Sequence, residues 1–210
     1  MAGANHPAAA AAHSGTFKEL GHGTSATVYR VREGNHPAAL KIFLDHATYE
    51  KEMKLVEKIF NYRPTCKHLI KFIRKREYIP RPNPNHIQGF PQWMDGLVFE
   101  WAPYGTVASF IKEWHPLLTQ NVLCHWTRHV ADALDFLSSH NITIMDLKPD
   151  NILVRGDKTL AVADFGNAMD KAVPFDLTGI NGTIVYSSLE ALEKKGITHV
   201  TDVFSLGLCL

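Results

Sequence analysis

The chain has 210 residues, 45% of them hydrophobic, and a formal net charge of +1. That is enough apolar material for a core in one domain or two small lobes, and a nearly neutral chain carries no electrostatic footprint for nucleic acid or a membrane surface. Cys66, Cys124 and Cys209 are scattered and form no Cys-x-x-Cys pair, which argues against a disulfide framework and suits a reducing compartment. Each reads as a small core residue. Residues 1–15, MAGANHPAAAAAHSG, have an Ala run but no basic segment ahead of an apolar core, so they are expected to be a disordered tail and not a signal peptide. No apolar run approaches the roughly 20 residues of a membrane span. The expected location is intracellular, cytoplasmic or nuclear.

From Phe17 to Val31 two strand-like runs flank Gly21-His22-Gly23-Thr24-Ser25-Ala26, which predicts a hairpin with a Gly-containing loop. Glu33 to Pro37 is a turn cluster, and Ala38 to Leu44 is a third strand. Tyr49, Met53, Val56 and Phe60 recur at helical spacing among charged residues, which predicts an amphipathic helix over 49–60. A strand over 69–79 follows. Arg81 to Gln92 holds Pro82, Pro84, Gly89 and Pro91 and reads as a long insertion or functional loop. Leu97 to Trp101 is a strand ended by Pro103. Helices are expected over 107–114 and 121–139, the second with Val122, Trp126, Val130, Ala133, Leu134 and Leu137 on one face. Short strands at 152–154 and 160–163 come next. Strands followed by helices imply an α+β chain of two lobes with a boundary near Ala102.

The charged residues of the apolar stretch from Ile142 to Phe165 carry chemistry. Asp146, Lys148, Asp150 and Asn151 lie between two apolar runs, and Asp164 ends a strand just before Gly166. Asp164 and Asn151 supply oxygen ligands, and Mg²⁺ takes few carboxylates and many phosphate oxygens. Asp146 can accept a proton from a hydroxyl nucleophile. Lys148 can offset charge on a transferring phosphoryl group. Each aspartate alone reads as a turn or cap residue; this spacing favours the joint reading.

These residues resemble the eukaryotic protein kinase family, from about Phe17 onward and with the motifs in the family's order. The resemblance implies a two-lobed protein kinase-like fold: a β-rich N-lobe over 16–102 and a partial, truncated helical C-lobe over 103–210. Gly21, His22 and Gly23 resemble the Gly-rich loop over the ATP phosphates, with Ala26 where the family has its third glycine. Ala39-Leu40-Lys41 resembles the strand-three motif, which gives Lys41 to the α and β phosphates. Its implied partner is Glu52, with Glu50 and Glu57 as rivals. Phe99-Glu100-Trp101-Ala102 resembles the gatekeeper and hinge, where Glu100 and Ala102 meet adenine. Val28, Ala39 and Leu153 match the positions that sandwich the ring. Asp146-Leu147-Lys148-Pro149-Asp150-Asn151 is the most specific element. It makes Asp146 the catalytic base and Asn151 a metal ligand, and its Lys148 is the serine/threonine type. Asp164-Phe165-Gly166 matches the metal-binding triplet. Gly182 to Glu190 aligns on the segment ending in Ala-Pro-Glu, keeping only the Glu. Thr183 is expected to contact Asp146 and Lys148, and Asp202 to brace the catalytic loop.

The implied activity is ATP-dependent serine/threonine protein kinase, with ATP and Mg²⁺ as cofactors and a protein substrate as partner. No nucleic acid or membrane partner is implied, and nothing specifies an oligomeric state. The alternative is a catalytically weak or inactive ATP-binding interaction module; Lys148-Pro149 argues against a small-molecule kinase. Two departures bear on activity. Ile144-Met145 stands where the family has His-Arg, which removes the usual docking cation for an activation-loop phosphate; Thr178 and Thr183 lie in the activation segment that the resemblance implies. The apolar run to Leu210 lacks the family's further helices, which leaves Glu190 without its usual Arg. His125 and His129 lie one helical turn apart, but no further metal-ligand set accompanies them.

Overall fold

Residues 17–62, 65–80, 93–114, 118–171 and 183–209 are described by a computed structural model. The expected tail at 1–15, the 81–92 loop, Thr178 and Gly182 lie outside these residues. The described chain divides into two compact units, residues up to Glu50 with Phe72–Trp101, and Lys51–Lys71 with Ala102 onward.

The first unit is built on an antiparallel sheet of five strands in the order β1-β2-β3-β5-β4: β1 Lys18–His22, β2 Ala26–Glu33, β3 His36–Phe43, β4 Phe72–Pro80 and β5 Trp93–Glu100. All five elements were expected, with ends shifted by a few residues. Glu33 pairs with His36, so the turn between β2 and β3 is only Gly34-Asn35. Gly34 takes φ 58° there, a conformation that glycine adopts at no steric cost. Alternation sends Val31, Ala38, Leu40, Ile42 and Val98 to one face, where they form the buried core of this unit. Phe17 and Tyr29 pack on it edge to face, 5.8 Å apart.

In the second unit, helix α1 (His46–Asn61) contributes its residues from Lys51 on. Its buried face is wider than the expected stripe, since Glu52, Leu55 and Ile59 are buried along with Met53 and Val56. Helix α2 spans Val107–Trp114 and α3 spans Gln120–Ser139. Thr119 caps α3, its hydroxyl accepting from the Val122 N–H at 3.4 Å. Asn141 ends that helix in the left-handed region at φ 61°. Trp126, Val130, Ala133, Leu134 and Leu137 are buried, as the periodicity implies; Val122 is only half-buried. The two expected short strands, β7 (Ile152–Val154) and β8 (Leu160–Val162), pair antiparallel and pack beside them. A second ribbon, β6 (Ile142–Thr143) with β9 (Met169–Asp170), was not foreseen; strands of two residues leave no period to read. Helix α4 (Leu189–Leu192) and α5 (Val200–Cys209) complete the unit. Helix α5 buries Asp202, Ser205, Leu206 and Cys209 and exposes Val203, Phe204 and Leu208. The three thiols are free, and Cys124 is exposed, contrary to its reading as a core residue.

Candidate active site

The residues singled out in the second unit converge on one segment, Ile144 to Asn151. It leaves β6, reverses, and re-enters the fold through a 3₁₀ turn at Pro149–Asn151 into β7. The reversal needs Met145 at φ 70°. A left-handed methionine costs about 1–2 kcal/mol, so something must hold it. The holder is Asp202 on α5. Its carboxylate accepts the Ile144 N–H at 2.7 Å and the Met145 N–H at 2.9 Å. Asp202 is 3% exposed. Burial pushes its carboxyl up to about 6, against the pull of those two donors and of the Lys171 charge. The expected brace is therefore present, made of two charge-assisted bonds to consecutive peptides.

The next residue, Asp146, is itself buried. One carboxylate oxygen accepts the Thr183 N–H at 2.9 Å. The other accepts from the Lys148 ammonium at 2.8 Å. Lys148 also donates to the Thr183 hydroxyl at 2.7 Å. Asn151 donates its side-chain N–H to the Asp146 carbonyl at 2.8 Å, which fixes its amide and leaves the oxygen for another role. Asp146, Lys148, Asn151 and Thr183 thus form one network. Asn167, which motif reading passed over, approaches Asp146 weakly at 3.5 Å.

Asp164 follows β8 and is left-handed, φ 62°. Its carboxylate accepts the Gly166 N–H at 3.2 Å, an Asx-type turn that orients it. Gly166 is a tight place: a Cβ there would stand 3.1 Å from Glu52 Oε2 and 3.3 Å from Asp164 Oδ1. Glu52 is 2% exposed, whereas Glu50 and Glu57 face water. Phe165 and Ile144 are fully buried. Leu153 bridges Thr106, close in sequence to buried Ala102.

The other candidates belong to the first unit. Gly21 and His22 end β1 and Gly23 opens the turn to β2; all three are exposed, and the Gly23 N–H bonds the Ala26 carbonyl at 2.8 Å. Val28 pairs with Lys41, and Ala39 with Phe99, beside Glu100 at the end of β5. Lys41 is half-buried, with its ammonium 5.3 Å from the Phe43 ring.

Several features had no sequence signal. Met145 packs with Met169, Ala191 and Ile197, so an apolar cluster occupies the place of the absent cation. Lys58 on α1 pairs with Asp170 on β9, an ion pair that raises the lysine's affinity for its proton. Glu190 is not left alone, because the Thr201 hydroxyl donates to it at 3.1 Å. His129 does not meet a metal-ligand set with His125; it stacks on His68. Among the described residues no three His, Cys, Asp or Glu gather to hold a metal ion, and no helix is long and apolar enough to cross a membrane.

Residues 15–210 match the model of the protein kinase domain. Among curated relatives, the chain is 27% identical over 198 residues to the probable serine/threonine-protein kinase gdt2 of Dictyostelium discoideum, an alignment covering 90% of this chain and 11% of that protein. It is 28% identical over 222 residues to the serine/threonine-protein kinase PKH3 of Saccharomyces cerevisiae, covering 93% of this chain and 23% of that protein. It is 27% identical over 202 residues to the cyclin-dependent kinase 4 homolog of Caenorhabditis elegans, covering 91% and 47%. The chain therefore spans less than half the length of these relatives. With a match that runs through both units, and with the Asp146 network and the Asp202 brace in place, the chain belongs to the protein kinase domain family.

Proposed function

We propose that this chain is a serine/threonine protein kinase domain that transfers the γ-phosphoryl group of Mg-ATP to a protein hydroxyl. The observation that carries the reading is the Asp146–Lys148–Thr183 network. Asp146 is positioned to accept the proton of a substrate hydroxyl as it attacks. Lys148 offsets the charge that develops on the transferring group. Thr183 fixes both side chains, so the pair needs little reorganisation during the step.

The residues present suit Mg²⁺. Asp164 and Asn151 offer hard oxygen donors, which suit an ion that draws its other ligands from phosphate and water. When bound, Mg-ATP supplies the phosphoryl group and the metal charge that balances it. By the family pattern, Lys41 takes the α and β phosphates and Glu52 is its partner. Gly21, His22 and Gly23 cover the phosphates, and Val28, Ala39, Glu100, Ala102 and Leu153 receive the adenine. Glu52 is favoured over its rivals because it alone of the three is buried.

The test is phosphotransfer from radiolabelled ATP to a serine/threonine peptide library, with Asp146→Asn as control. Loss of a positioned base costs about 10²–10⁴-fold in rate. Mg-ATP binding with no turnover by the wild-type chain, and no difference from Asp146→Asn, refutes catalysis and leaves the ATP-binding interaction module.

A further inference from the structure

A cluster away from the Asp146 network holds two imidazoles against the backbone of a single residue, Leu160. His68, in the segment after α1, and His129, on α3, stack with ring centroids 4.2 Å apart and planes 16° apart. Both rings bind Leu160, the first residue of β8. The Leu160 carbonyl lies 3.2 Å from His68 Nδ1, and the Leu160 N–H donates to His129 Nδ1 at 3.3 Å. A carbonyl can only accept and an N–H can only donate. His68 therefore carries a proton on Nδ1, and His129 must not. His129 is held as the neutral Nε2–H tautomer by one backbone donor.

We infer that the His68–His129 stack is a proton-operated clamp on the start of β8, closed while His129 Nδ1 is bare and opened when that nitrogen is protonated. A proton there would set donor against donor at the Leu160 N–H and place a cation flat against the His68 ring. The surroundings offer little relief. On α3, His125 lies one turn away, its Nδ1 bonded to the Asn121 carbonyl. Asp132 on the same helix is the nearby anion, but its carboxylate stands 3.7 Å from His68 Nε2 and is 63% exposed. The segment after α1 contributes Cys66, whose thiol burial pushes up, and Lys67. From the β7–β8 turn, the Arg155 guanidinium donates to the Leu160 carbonyl at 3.3 Å and to those of Lys67 and Leu69 at 2.9 Å each. Burial first, then the charges of His68, His125 and Lys67, hold the His129 imidazole below its ordinary range, with Asp132 opposing.

The sign follows. An imidazole held below its ordinary value contributes stability above that value, and loses it as pH falls toward the folded-state value. The clamp thus opens on mild acidification. The residue it releases begins the strand that leads, two residues past Val162, to Asp164. The same strand is tied to the segment after α1, where the Val162 N–H bonds the His68 carbonyl at 2.8 Å and the Ile70 N–H bonds the Val162 carbonyl at 2.9 Å.

The experiment follows hydrogen exchange at the Leu160 amide, corrected for intrinsic rate, from pH 7.5 to 5.5 in the wild-type chain and in His129→Asn. Asparagine keeps a side-chain acceptor and cannot be protonated. The wild type is expected to lose protection by up to about tenfold per pH unit, the limit for linkage to one proton. His129→Asn is expected to stay flat. Equal pH dependence in the two proteins, or constant protection in the wild type, overturns the clamp. Nitrogen shifts of His129 in the wild type give a reading that needs no variant: the Nε2–H tautomer at pH 7.5 supports the clamp, and the Nδ1–H tautomer or a charged ring overturns it. Neither readout depends on kinase turnover.

Discussion

Asp202 offers the sharpest test of how this fold builds the segment that carries Asp146. Replacing it with alanine leaves the Ile144 and Met145 N–H groups without their acceptor, in a place where the side chain that served them is 3% exposed. An orphaned buried donor costs about 1–3 kcal/mol. Two of them bring the loss to about 2–6 kcal/mol, a large share of a typical stability of about 5–15 kcal/mol. Asp202→Asn is the finer probe, since its amide can accept one N–H but turns a donor toward the other. It also removes a titration. The Asp202 carboxyl sits at about 6 in the fold against an ordinary 3.8, a difference equivalent to about 3 kcal/mol. The folded value lies above the unfolded one, so this group's contribution is lost as pH rises through about 6 and is complete below 3.8. The stability advantage of wild type over Asp202→Asn should therefore grow on acidification from pH 7 to pH 4, by up to about 3 kcal/mol. Most carboxylates give the opposite sign. Urea unfolding followed by circular dichroism at stepped pH measures it, and taking the difference between the two proteins cancels other titrations, His129 included. An advantage that shrinks or stays constant as pH falls refutes the reasoning. So does an Asp202→Ala protein within about 0.5 kcal/mol of wild type, the range of an ordinary surface change.

Three further outcomes follow from the same geometry. Gly166→Ala presses a methyl against Glu52 and Asp164; it should cost about 1–3 kcal/mol and weaken Mg-ATP binding, measured by calorimetry alongside unfolding. Lys58→Ala removes the pair with Asp170 and should cost about 1 kcal/mol, with the exchange Lys58→Asp plus Asp170→Lys recovering part of it in a double-mutant cycle. Met145→Leu should stay within about 1.5 kcal/mol of wild type. Met145→Arg puts a charge into the cluster with Met169, Ala191 and Ile197 and should lose about 3–5 kcal/mol if the charge stays buried, read from thermal unfolding.

What could be read in the sequence was what repeats or what is spelled in one run. Strand-like runs bounded by Gly- and Pro-containing turns placed the five strands of the first sheet, and the period of α3 named its buried face. Asp146, Lys148 and Asn151 lie within six residues, so their joint meaning was visible. What could not be read depends on contacts between distant positions. Nothing near Lys58 announces Asp170, and nothing in a helix bearing His129 announces a stacked His68. The ribbon of β6 and β9 has two residues a side, too few for any pattern. The burial that separates Glu52 from Glu50 and Glu57 is a matter of which helix face the fold covers, and spacing alone left all three open.

The exchange of the family's His-Arg for Ile144-Met145 is best understood through its neighbours. An arginine before the catalytic aspartate makes the segment's position conditional on an anion elsewhere. Met145 makes it unconditional: its side chain packs with Met169 on β9, and its peptide is bound by Asp202 on α5. Ile144 is sealed in the core beside it in sequence. The left-handed turn that aims Asp146 is therefore held by burial and by one buried carboxylate, not by a charge that a modification could add or remove. Its geometry should then persist as long as the second unit stays folded. The strand leading to Asp164 is held differently, its first residue Leu160 bound by the His68–His129 stack.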